Sequence, residues 1–84
     1  MLSSGKAKLT RKEVYDMNGP FTLSRAVIDR EVTRVSPGAY ELLMSYSGPV
    51  KYVGRSDDDL NARLKRWVDS KYSYFEFEYC SSPK

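Results

Sequence analysis

The chain contains no histidine and a single cysteine, Cys80, so it can build neither an internal disulfide nor a Cys/His zinc site. A zinc finger is excluded. It has no apolar run long enough to span a bilayer as a helix, and no basic segment leading into an apolar stretch near Met1. The expectation is a soluble, cytoplasmic chain with no membrane partner. Internal repeats are missing, and no low-complexity stretch occurs beyond a short leader.

What is present fits one small domain. With 84 residues, 40% hydrophobic and 13% aromatic, the chain can bury a core, but its surface is large for its volume and its stability margin is thin. Seven of its aromatic residues are tyrosine. The net charge of +3 is compatible with a polyanionic partner. Lys6, Lys8, Arg11 and Lys12 lie in a Gly/Ser-containing leader, and Arg55, Arg63, Lys65, Arg66 and Lys71 crowd the second half. Residues 1–19 read as a basic, flexible leader, either a solvated tail or an arm that tracks phosphates, ahead of a core over 20–84.

Along the core, Asn18-Gly19-Pro20 is a turn signal, and Leu23, Ala26, Val27 and Ile28 are spaced for a short amphipathic helix over 21–30 capped by Thr22 or Ser24. Tyr40, Leu42, Met44 and Tyr46 alternate with their neighbours as a strand over 39–46 does. The turn Ser47-Gly48-Pro49 then returns the chain into a strand over 50–53. After Gly54, Ser56 or Asp57 supplies a cap, and Asp57, Asp58 and Asp59 fill the first turn of a second helix, where its dipole favours negative charge. Leu60, Leu64, Trp67 and Val68 share one stripe of that helix, with Arg63 at its border. Phe75, Phe77 and Tyr79 then alternate with Tyr74, Glu76, Glu78 and Cys80 on a half-buried strand. The fold class expected is α+β, a small three-stranded antiparallel sheet with flanking helices.

"GAY" at Gly38-Ala39-Tyr40, "YVG" at Tyr52-Val53-Gly54, "RS" directly after, and "LNARLKRW" on the next helix together resemble the GIY-YIG nuclease domain. In that family two signature tripeptides lie on adjacent strands and precede a helix bearing an arginine. The resemblance runs from Ser36 to Pro83. It implies an endonuclease core that hydrolyses DNA phosphodiesters with a divalent metal, magnesium. Tyr40 and Tyr52 match the signature tyrosines that line the family's site, one of them helping to activate water. A free phenol titrates near ~10, so such a role calls for a neighbouring cation, and Arg55 is the candidate. Arg63 matches the helix arginine, whose planar guanidinium holds phosphate oxygens and offsets charge in the transition state. Packing alone is the competing account: Tyr40 and Tyr52 as ordinary strand residues, Arg63 as a side chain lying along Trp67. Trp67 stands where relatives often carry tyrosine or histidine. Arg55, Lys65, Arg66 and Lys71 complete a DNA-binding set, and free backbone N–H groups beside Gly54 offer a close approach for a phosphate.

The metal ligand is the main departure. In the family a glutamate on a helix beyond the third strand holds the ion, and here the chain reaches Lys84 before such a helix, as a fragment of a longer protein would. Glu76 and Glu78 are the nearest carboxylates, though alternating glutamates are also the normal polar face of a strand. Asp57, Asp58 and Asp59 are set aside as ligands because consecutive helical residues point in different directions. The metal-ligand set therefore stays unknown at this stage. Two other readings stay open: a non-catalytic nucleic-acid-binding module of the same fold, and an interaction domain that pairs the 72–79 strand, as a sheet edge, with another chain.

Overall fold

A computed structural model describes residues 17–80. The leader cations Lys6, Lys8, Arg11 and Lys12 lie outside the described residues. In chain order the elements are β1 (Asn18–Thr22), α1 (Arg25–Glu31), β2 (Gly38–Leu43), β3 (Val50–Ser56), α2 (Leu60–Lys65) and β4 (Tyr74–Tyr79). The class is α+β as expected, but the sheet has four strands in the order β1-β4-β2-β3, with every neighbouring pair antiparallel.

The extra strand is the segment that reads locally as a turn and a helix start. Asn18 pairs with Phe77, and Phe21 with Phe75, across an irregular register that accommodates Gly19 and Pro20. Proline has no N–H to give to a ladder, and β1 is an edge strand, so nothing is lost on its outer side. Phe21 brings its ring within 5.5 Å of Phe75 and 6.1 Å of Phe77, a non-local gain that outweighs the local turn preference. Helix α1 starts later than expected, at Arg25, after Ser24 Oγ accepts the Val27 N–H at 3.3 Å.

Two other boundaries move. Strand β2 ends at Leu43, where its register with β3 shifts, so Met44 and Tyr46 sit exposed in the connection rather than in the ladder. On the return, β3 runs through Gly54 to Ser56, and α2 therefore begins only at Leu60. The three aspartates precede the helix instead of filling its first turn. Asp59 is the cap, accepting the Ala62 N–H at 3.2 Å, while Asp58 accepts the Asp59 N–H at 2.6 Å and Asp57 pairs with Arg55 at 3.1 Å. Beyond Lys65 the chain continues in tighter turns, with Trp67 N–H bonded to the Leu64 oxygen and Ser70 N–H to that of Trp67. Asp69 ends them in the left-handed region at φ 71°, a conformation aspartate tolerates better than most residues.

Both helices cover one face of the sheet. Leu23, Ile28, Val32, Leu60 and Leu64 close over Tyr40, Leu42, Phe75 and Phe77. Gly38 permits the closest approach, because a Cβ there would stand 2.6 Å from Leu60 Cδ2 and from the Glu78 oxygen. The helices are tied to each other by Asp29, whose carboxylate takes Lys65 Nζ at 2.6 Å and Asn61 Nδ2 at 3.1 Å. Those bonds, Lys65 first and Asn61 next, hold the Asp29 carboxyl below its ordinary pKa. No helix among the described residues is long and apolar enough to cross a membrane.

Candidate functional site

Cross-strand pairing decides which signature residues meet. Tyr40 stands opposite Gly54, and Leu42 opposite Tyr52, so the two tyrosines project from the same face of the sheet, the one the helices cover. Their rings lie 6.3 Å apart. The missing side chain of Gly54 is filled by Tyr40: a Cβ at Gly54 would sit 2.6 Å from Tyr40 Cζ and 2.9 Å from Tyr52 Cε2. Gly54 is thus an internal strand residue that makes room for a phenol, and not a strand-to-helix corner kept open for a phosphate.

Tyr40, Tyr52, Arg63, Arg66 and Trp67 line one open concavity of about 480 Å³, within the range of ~300–1,000 Å³ typical of ligand sites. Tyr40 is 1% exposed and Tyr52 39%, so one phenol belongs to the floor and the other to the rim. Trp67 Nε1 donates to Tyr40 Oη at 3.0 Å. An indole N–H can only donate, so the phenol is the acceptor and its own proton is directed elsewhere. Arg63 Nη1 donates to the Arg55 backbone oxygen at 3.0 Å, which holds the guanidinium across the junction of β3 and α2 and leaves its other N–H groups for a further partner.

The remaining sequence candidates divide by position. Arg55 pairs with Ala39 in register and projects from the opposite face, where its side chain, 74% exposed, meets Asp57. It does not join the phenols. Lys65 is turned to the helix seam by Asp29. Arg66 lies in the pocket wall, and Lys71 places Nζ 5.5 Å from the centre of the Tyr72 ring, beside Trp67. Glu76 stands opposite Glu41, and Glu78 opposite Ala39, on the face away from Tyr40, so neither reaches the pocket as a substitute ligand. Among the described residues no group of three or more His, Cys, Asp or Glu side chains gathers to hold a metal. Strand β4 lies inside the sheet between β1 and β2, which removes it as an edge for pairing with another chain.

Two features of the pocket depend on the folded chain. Trp67 lies one helical turn beyond Arg63, so its arrival at the same pocket was signalled by spacing, but its bond to Tyr40 was not. Tyr72 approaches Trp67 at 5.7 Å and Tyr52 at 6.4 Å only because the turns after α2 fold back, and no local pattern announces that. Set against known protein families, curated proteins and solved structures, the chain matches none.

Proposed function

We propose that the chain is the core of a GIY-YIG-type endonuclease, a cytoplasmic DNA-directed protein, and that this pocket receives a DNA phosphodiester. The observation that carries the reading is the convergence of Tyr40 from β2, Tyr52 from β3 and Arg63 from α2 on one concavity. Arg63 and Arg66 bind the phosphoryl oxygens, and Arg63, held by the Arg55 carbonyl, offsets the charge that grows on them as the bond breaks. Tyr40, already accepting from Trp67, orients a water through its own proton and remaining lone pair, and Tyr52 does so from the rim.

Magnesium belongs to that reading by resemblance alone. Hard divalent cations bind through carboxylate and other oxygens, and the pocket lining offers two arginines, two phenols and an indole. The described residues do not fit the ion, so the chemistry derived from this chain stops at binding, orientation and charge stabilisation. That same lack of a carboxylate favours the second reading, a non-catalytic nucleic-acid-binding module of the same fold.

Fluorescence anisotropy with a labelled DNA strand tests the shared part. Binding by the wild-type chain is expected to weaken as salt rises and to drop in Arg63→Ala. An Arg63→Ala variant that binds as tightly as wild type would overturn the assignment of the pocket. Nicking of supercoiled plasmid with magnesium or manganese separates the two readings: nicking lost in Arg63→Ala marks the endonuclease, and binding without nicking marks the module.

A further inference from the structure

Three rings meet at the pocket, with Trp67 and Tyr72 packed against the core and Tyr52 against Trp67. Tyr52 packs on Trp67 at 4.8 Å, Trp67 meets Tyr72 edge-on at 5.7 Å, and all three retain exposed surface. The flanking groups are Arg63, Arg66 and Lys71, which form no salt bridge among the described residues, although Asp58 and Asp59 share a neighbouring hollow with Arg63 and Arg66. The Trp67 ring is also fixed in place, since its one polar atom is bonded to Tyr40. Fixed aromatic faces beside unpaired cations suit a ligand with a flat π-surface attached to an anion.

A nucleotide is such a ligand, and the state of its base matters. In intact duplex both faces of a base are covered by its neighbours, and an aromatic side chain cannot stack on them without opening the helix. In a single strand the faces are free, and every base offers one. We infer that Tyr52, Trp67 and Tyr72 form a stacking site for an unpaired nucleobase whose phosphate lies on Arg63 and Arg66. The substrate class is then DNA with a single-stranded segment in preference to intact duplex. This rests on the reading of the pocket as a phosphodiester site.

Trp67 is the only tryptophan in the chain, so its fluorescence reports the site directly. The full chain is titrated with three labelled probes of equal length: single-stranded oligothymidylate, a strand with the same phosphates but abasic at every position, and a blunt duplex. The thymidine strand is expected to quench Trp67 and to bind about tenfold more tightly than the abasic strand, with the same dependence on salt. Tyr72→Leu, which keeps apolar packing but loses the ring, should narrow that ratio. Should that variant fail to fold, the wild-type comparison of thymidine and abasic strands still decides. Equal affinity for the two strands, an unchanged Trp67 signal, or tighter binding of the blunt duplex overturns the stacking site. Equal affinity together with a loss in Arg63→Ala leaves the phosphodiester reading standing, while no binding of any probe overturns both.

Discussion

The two faces of the sheet differ more in chemistry than their interleaved sequences suggest. On the helix side, Tyr40, Leu42, Phe75 and Phe77 form the core, and its border carries Arg63, Arg66, Tyr52 and Trp67 around the pocket. On the other side stand Glu41, Glu76 and Glu78 from the two central strands, with Arg55 on β3 held by Asp57. Phe75 and Glu76 are adjacent in the chain and separated by the sheet. Strand alternation thus keeps the three glutamates off the face that carries the pocket, while Asp58 and Asp59, from the segment before α2, share a neighbouring hollow with Arg63 and Arg66.

Substitutions on either side test that division, here in falling order of effect on stability. Phe75→Ala removes a ring that is 0% exposed and should cost about 3–5 kcal/mol in urea denaturation. Glu76→Gln, one residue on, should change stability by less than about 0.5 kcal/mol. Comparable losses at both positions would mean that the two faces do not differ as described. Gly54→Ala comes next, because the new methyl meets the Tyr40 ring and one of the two must shift. A loss of about 1–3 kcal/mol is expected, with a change in Trp67 emission as its bond to Tyr40 is disturbed. Unaltered emission and stability would show that the phenol does not occupy the space above Gly54.

Arg63→Ala and Arg55→Ala compare two arginines on opposite faces. Each should cost less than about 1 kcal/mol in thermal melts, since neither side chain closes the core. DNA binding should fall in Arg63→Ala and stay near wild type in Arg55→Ala, and any plasmid nicking should drop about 100-fold in Arg63→Ala. Equal losses at both positions would erase the functional distinction between the faces. Asp29→Asn at the helix seam comes last, with an effect that depends on pH. The folded carboxyl titrates below its unfolded value, so its stabilising contribution is present above the ordinary carboxylate range and is lost as pH falls through the lowered value. Melting temperatures of the two proteins should differ slightly near neutral pH and converge in acid, below about pH 4. A difference that persists in acid would remove Asp29 as its source.

Much of this was legible because it is local. The Tyr40, Leu42 and Phe75 to Tyr79 alternations carry a period of two, Leu60 and Leu64 carry a helical period, and Ser24 is a recognisable cap. The α+β class follows from these, as does the placing of Tyr40 and Tyr52 on neighbouring strands with Arg63 on the helix after them. Other features depend on partners far away in the chain. Asn18-Gly19-Pro20 looks like a turn until Phe21 is seen against Phe75, so a fourth strand is invisible to any short window. Ser56 and Asp57 both resemble caps, and only the continuation of β3 through Ser56 leaves that place to Asp59.

By itself, then, the sequence determined the periodicities, and with them the core residues and the elements that bear Tyr40, Tyr52 and Arg63. Tertiary structure decided the grouping. Arg55 follows Gly54 directly and looks like a partner for the phenols, yet the register Ala39↔Arg55 sends it through the sheet. Trp67 and Tyr72 look like core residues and a strand start, yet the turns after α2 bring them over Tyr52, and an indole N–H finds the Tyr40 oxygen. The physical reason is the same in each case. Period and capping act between residues a few positions apart, whereas which side chains share a pocket depends on strand pairing and on how a loop returns, and those are settled by contacts between distant parts of the chain.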